Sequence, residues 1–198
     1  MTYWDPIPTV RAVAGTHLPQ WEPGTRPPVF DWSRGTRSSC EPDQWGERNW
    51  RNVPGPFYGA GTDNCWTGRD CAPDNVMYDG EYNQEFVYRQ PRDERETYAV
   101  LCAAECDPMA GYAGDGDAHW TPELVRDWWR DRGRVREWAV VLDRTWSVSE
   151  DRYEREASAG ARDYVAHIDG GLGDYLRGYL FRLKEGRPAR SGEALPAL

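Results

Sequence analysis

From Arg92 onward the apolar positions recur with the 3.6-residue period of a helix. Arg92 to Cys106 is rich in helix formers and stops before Asp107-Pro108, while Thr121-Pro122-Glu123 is a capped start with proline at the first helical position. Leu124, Val125, Trp128 and Trp129 follow at helical spacing, and Gly133 is expected to end or kink that helix. Val135, Trp138, Ala139, Leu142 and Trp146 form a second stripe. Leu172, Tyr175, Leu176, Tyr179, Leu180 and Leu183 form the clearest one, with a weaker helix suggested between them by Tyr153, Ala157, Ala161, Tyr164 and Ile168. Residues 92–185 therefore read as a bundle of about four to five helices.

Before Pro91 the period changes. Val76 and Tyr78 alternate, Asp79-Gly80 offers a turn, and Glu85 to Arg89 returns with β-branched and aromatic residues, which predicts a small antiparallel hairpin or sheet. Residues 1–56 hold nine prolines and five tryptophans (4, 21, 32, 45 and 50). Proline at that density opposes helices and interior strands, and the aromatics oppose disorder, so an extended, ordered wrap with tryptophans docked on the later helices is expected. Between wrap and hairpin, Gly55, Gly59, Gly61 and Gly68 permit turns that Phe57, Tyr58 and Trp66 would pin. The chain is thus expected to be α+β, a single domain over 1–185 with a Gly-rich loop and hairpin at 57–91, followed by a flexible tail at 186–198.

Composition sharpens this picture. Of 198 residues 39% are hydrophobic, but 11 Trp, 11 Tyr and 4 Phe make the core aromatic rather than aliphatic. A net charge of −9, with neither half of the chain strongly basic, argues against nucleic acid as the principal ligand and favours a protein partner with a basic surface. Met1 is followed by neither a basic start nor an apolar run, so no leader and no membrane span are expected and the setting is read as cytoplasmic. Five cysteines, an odd number, then read as reduced thiols.

Three groups of residues are candidates for chemistry. Cys102 and Cys106 lie four apart on a predicted helix and so share a face, where they can offer two thiolates to a metal or simply pack; Cys65 and Cys71 lie six apart, and Cys40 stands alone. Asp115, Asp117 and His119 alternate just before a helix, where an extended segment would point them to one side to hold a divalent cation, or would merely turn the chain. Tyr58, Asp63, Trp66, Arg69 and Asp70 sit in the Gly-rich loop, either as a recognition surface or as groups that bond the loop to itself. His17 and His167 have no local partners and read as surface or packed residues. Nucleophile-elbow, phosphate-loop and dinucleotide-binding fingerprints are missing.

The blocks VPGPFYGAGTDNCWTGR, APDNVMYDGEYNQEFVYRQP and GYAGDGDAHWTPELVRDWW resemble a family of uncharacterised actinobacterial proteins of similar length, some automatically labelled ferredoxin. The resemblance spans most of the chain and implies no established activity and no catalytic residue. The cysteine spacing matches no cluster motif. The sequence is therefore read as a non-catalytic binding protein of inhibitor or immunity type, without cofactor, using an acidic, aromatic surface centred on the Gly-rich loop. The alternative is a metal-dependent or redox enzyme built on Cys102/Cys106 or on Asp115/Asp117/His119.

Overall fold

A computed structural model describes residues 3–13 and 44–198. The fold is α+β, and the chain divides into two compact units: Pro6–Gly116, and Asp117–Leu198 together with the residues up to Asp5. Trp21, Trp32, His17 and Cys40, and with them most of the expected wrap, lie outside the described residues.

The first unit contains α1 (Ile7–Val13), β1 (Tyr58–Gly59), α2 (Thr67–Cys71), β2 (Val76–Tyr78), β3 (Glu85–Val87), α3 (Glu94–Cys106) and β4 (Tyr112–Ala113). Helix α1 corrects the expectation of an extended leader. Its Pro8 falls in the first turn, where a missing N–H costs no intrahelical bond, and Val10 packs into the core. Trp45 is likewise corrected: its ring meets Tyr58 of β1 edge-on at 5.4 Å instead of docking on a later helix. The hairpin is as expected, with Val76 opposite Val87 and Tyr78 opposite Glu85. Its connection is longer than a two-residue turn, because Asp79 Oδ1 accepts the Glu81 and Tyr82 amides and Asp79 N donates to Gln84 O. A second ladder, β1 with β4, was not foreseen.

The irregular stretch before β2 has few ladder partners, so buried side-chain amides take their place. Asn52 Oδ1 accepts the amides of Gly59 and Val87 at 2.9 and 2.8 Å, and Gln90 donates to the carbonyls of Val53 and Phe57. Such bonds satisfy a buried loop that would otherwise strand its backbone polar groups. Helix α3 starts two residues after the expected Arg92, with Asp93 accepting Glu96 N, and its inner face (Val100, Leu101, Ala103, Ala104) packs with Phe57, Val76, Val87 and Tyr112.

After a 3₁₀ turn at Gly116–Ala118, in which the first unit ends, the second unit is helical: α4 (Pro122–Trp146), α5 (Arg152–Asp169) and α6 (Leu172–Glu185). Thr121 and Asp151 cap α4 and α5 as their sequences require. Gly133 does not end α4, which runs 25 residues through it. A Cβ there would meet nothing within 4 Å, so this glycine faces open space and its only cost is propensity. Val135, Ala139, Leu142 and Trp146 of α4 are buried, as are Ala157, Ala161, Tyr164 and Ile168 of α5, and the pairs Arg136–Asp169 and Arg162–Asp143 connect the two helices. Tyr3 lies over Gly178, beside Tyr175 and Tyr179, where any Cβ would collide with it. The segment 186–198, expected to be a flexible end, is tied back by Arg177 to the Leu195 and Pro196 carbonyls and by Arg126 to that of Ala197. Among the described residues no helix is long and apolar enough to cross a membrane.

Candidate functional site

The residues expected to form a recognition surface are mostly committed to the fold of the first unit. Tyr58 is buried, and its hydroxyl donates to Asp115 Oδ1 at 2.8 Å. Asp63 accepts the Cys65 amide, and its own N–H donates to Asp107 Oδ1, so it shapes the loop. Trp66 adopts the left-handed conformation (φ 68°) at the start of α2, with its ring 4.0 Å from that of Tyr78. Arg69 spends one nitrogen on the carbonyls of Pro73 and Val76, each at 3.0 Å. Of the five, only Asp70 is exposed.

The expected Asp115/Asp117/His119 group does not form as an extended, alternating segment, because the 3₁₀ turn at Gly116–Ala118 breaks the alternation. Asp115 belongs to the first unit and holds Tyr58, whereas Asp117 belongs to the second, where it accepts the Tyr179 hydroxyl at 2.9 Å and faces Arg182 at 3.5 Å. Burial nevertheless raises the Asp117 carboxyl above its ordinary value. Among the described residues no group of three or more His, Cys, Asp or Glu side chains is arranged to hold a metal ion.

A different relationship emerges at the cysteines. Cys106, the last residue of α3, has as its close partner not Cys102 but Cys71, the last residue of the five-residue helix α2, whose Sγ donates to Cys106 Sγ across 3.6 Å. What places Cys71 there is a short chain of buried contacts. Glu85 Oε1 accepts the Gly68 amide at 2.7 Å, Oε2 accepts the Tyr112 hydroxyl at 2.6 Å, and the lack of a Cβ at Gly68 lets α2 settle onto that carboxylate. Asp107 fixes the other side, accepting the amides of Asp63, Met109 and Gly111 just after Cys106.

The two thiols are electrostatically unequal. Cys71 is buried, and both its role as donor and its desolvation keep it protonated, with its pKa pushed far up. Cys106 is exposed at the residue level, and the Cys71 S–H lowers its pKa to about 7. That lowering acts against partial burial and the nearby carboxylates of Glu105 and Asp63, and against the negative end of the α3 dipole, which disfavours a thiolate at a helix C-terminus. Cys102, half-buried one turn earlier, is raised by desolvation, and exposed Cys65 is raised by Asp63. Sequence spacing pointed to Cys106 but gave it the wrong partner, because the pair is closed across 35 residues by the docking of α2 on α3.

Above this pair a cleft of about 350 Å³ opens between α3 and the α2–β2 connection, lined in part by Cys71, Asn75, Arg95, Ala99 and Cys102. Comparison of the chain with protein-family models, with curated proteins and with solved structures finds no match.

Proposed function

We propose that the first unit carries a dithiol–disulfide site in which Cys106 is the reactive thiolate and Cys71 the resolving thiol. The single observation behind this reading is the 3.6 Å separation of the two sulfurs in a pair with one exposed and one buried member. A thiolate is the nucleophile in thiol–disulfide exchange, and a pKa near ambient pH balances its abundance against its nucleophilicity. Cys106 attacks one sulfur of a disulfide in another molecule, forming a mixed disulfide and releasing one thiolate. Cys71 then gives up its proton and attacks Cys106 Sγ, which expels the second thiolate. The net exchange converts two cysteine thiols and one external disulfide into the Cys71–Cys106 disulfide and two external thiols. Cys102 takes no part in the bond.

Mass spectrometry after exposure to a small disulfide tests this. Wild type and Cys102→Ser lose two thiols and form the 71–106 linkage, whereas Cys71→Ser stops at a stable mixed disulfide on Cys106. Retention of both free thiols in the wild type at pH 8 would overturn the reading.

A second reading, a non-catalytic binding protein of inhibitor or immunity type with a basic protein as partner, draws on the net charge of −9 and on the exposure of Asp70 and Tyr82 in the first unit. Capture of a basic partner from host extract that is lost at high salt, and lost on Asp70→Arg with the thiols untouched, would favour it. Capture that survives both would count against it.

A further inference from the structure

We infer that the cleft beside the thiol pair seats a low-molecular-weight thiol or its disulfide, one that carries a carboxylate and an N–H donor; this rests on the dithiol reading above. The cleft runs along one face of α3, where Arg95, Ala99 and Cys102 follow one another at intervals of three or four residues. Its volume of about 350 Å³ suits a molecule of amino-acid to small-peptide size. Arg95 and Cys102 are separated by roughly 10 Å along the helix axis, so one such molecule can span from the guanidinium to the sulfurs.

Two polar groups in the lining are positioned to select the ligand. Asn75 is fully buried, and its Nδ2 donates to both Arg89 O and Glu96 Oε2, which fixes the orientation of the amide. Its Oδ1 is then left as a buried acceptor without a partner, a costly arrangement that a ligand N–H or ammonium would relieve. Arg95 is 74% exposed, and its approaches to Asp74 and Glu96, at 3.5 and 3.9 Å, are too long for strong hydrogen bonds. Its planar fork therefore remains able to take a ligand carboxylate in the bidentate manner. The rest of the lining joins apolar Ala72, Pro73 and Ala99 to Tyr98 and to the carboxylates of Asp74 and Glu96, and it includes Cys71 and Cys102. A ligand so held ends at Cys71, whose sulfur lies 3.6 Å from that of Cys106.

The test compares two oxidants, oxidised glutathione, which carries carboxylates and N–H donors, and bis(2-hydroxyethyl) disulfide, which carries neither. Arg95→Ala is expected to slow formation of the 71–106 disulfide by oxidised glutathione about tenfold, the loss of a charge-assisted contact, and to leave the rate with the uncharged disulfide unchanged. Ala99→Phe, which fills the cleft, slows the glutathione reaction further. Wild-type rates in both variants would overturn the inference and leave the dithiol reading standing. A second readout does not depend on the thiols reacting: titration with reduced glutathione should shift the Asn75 side-chain amide resonances saturably in the wild type and not in Ala99→Phe. No saturable shift overturns the inference, whereas a shift without disulfide formation by either oxidant upholds the cleft and overturns the dithiol reading.

Discussion

Tyr112 donates its hydroxyl to Glu85 Oε2 across 2.6 Å in the core of the first unit, and neither side chain is more than 1% exposed. Burial raises the Glu85 carboxyl from an ordinary 4.5 to about 7, although the bonds from Tyr112 and Gly68 favour its ionised form. Because the folded value is the higher one, the folded state holds a proton that the unfolded state has lost between these two pH values. Stability from this group is thus fully present below the ordinary carboxylate range and is lost as pH rises to 7, by about 3 kcal/mol. Urea midpoints should fall between pH 5 and pH 8, and Glu85→Gln should flatten that decline. An unaltered slope in the variant would show that Glu85 is not its source.

Two glycines make opposite predictions. A Cβ at Gly68 would run into the Glu85 carboxylate and the Tyr112 hydroxyl, both of which are held by their bond to each other. Gly68→Ala should therefore cost about 2–4 kcal/mol through overpacking and the displaced hydrogen bonds. Gly133→Ala, in open space within α4, should gain about 0.5–1 kcal/mol from helix propensity. Thermal and denaturant melts of the two variants should move in opposite directions.

Elements whose cause is local were legible in the sequence. The cap at Thr121, the stripe of α6 and the β2–β3 hairpin all follow from residues near one another in the chain. Gly133 misled because propensity alone does not end a helix that buries Val125 before it and Val135, Ala139 and Leu142 after it, and Pro8 misled because a proline in the first turn costs nothing. The loop residues could not be placed from sequence, since an aromatic or arginine among glycines looks the same whether it faces solvent, as expected of Tyr58 and Arg69, or satisfies the interior, as they do. The Cys71–Cys106 pair was illegible for the same reason, as no local signal records which two helices dock.

Arg69 illustrates the consequence for mutagenesis. Removing its side chain leaves the carbonyls of Pro73 and Val76 without that donor at the entry to β2. Arg69→Ala should cost about 1–2 kcal/mol, and Arg69→Lys should recover only part of it, because an ammonium on a flexible stem is not held at the point from which the single Nη1 reaches both oxygens. Equal melting temperatures for wild type and Arg69→Ala would mean that these two bonds contribute nothing.

The thiol pair makes a prediction about pH that does not require any external disulfide. Cys106 reaches a pKa of about 7 because the Cys71 S–H stabilises its thiolate, while burial, Glu105, Asp63 and the C-terminal end of α3 all oppose ionisation. Cys71→Ala removes the one favourable contact and leaves the opposing ones in place, so the Cys106 pKa should rise past the ordinary thiol value of about 8.5. Alkylation by iodoacetamide, followed by mass spectrometry at Cys106, reads this directly. In the wild type the rate should climb through a midpoint near 7. In Cys71→Ala the midpoint should shift upward by about 1.5 pH units or more, so that the thiolate fraction of Cys106 at pH 7 falls at least about tenfold and alkylation slows with it. Cys102→Ala, which leaves the donor intact, should keep the wild-type midpoint. If Cys71→Ala kept it as well, the sulfurs would be neighbours by packing alone, and Cys106 would owe its acidity to some other group.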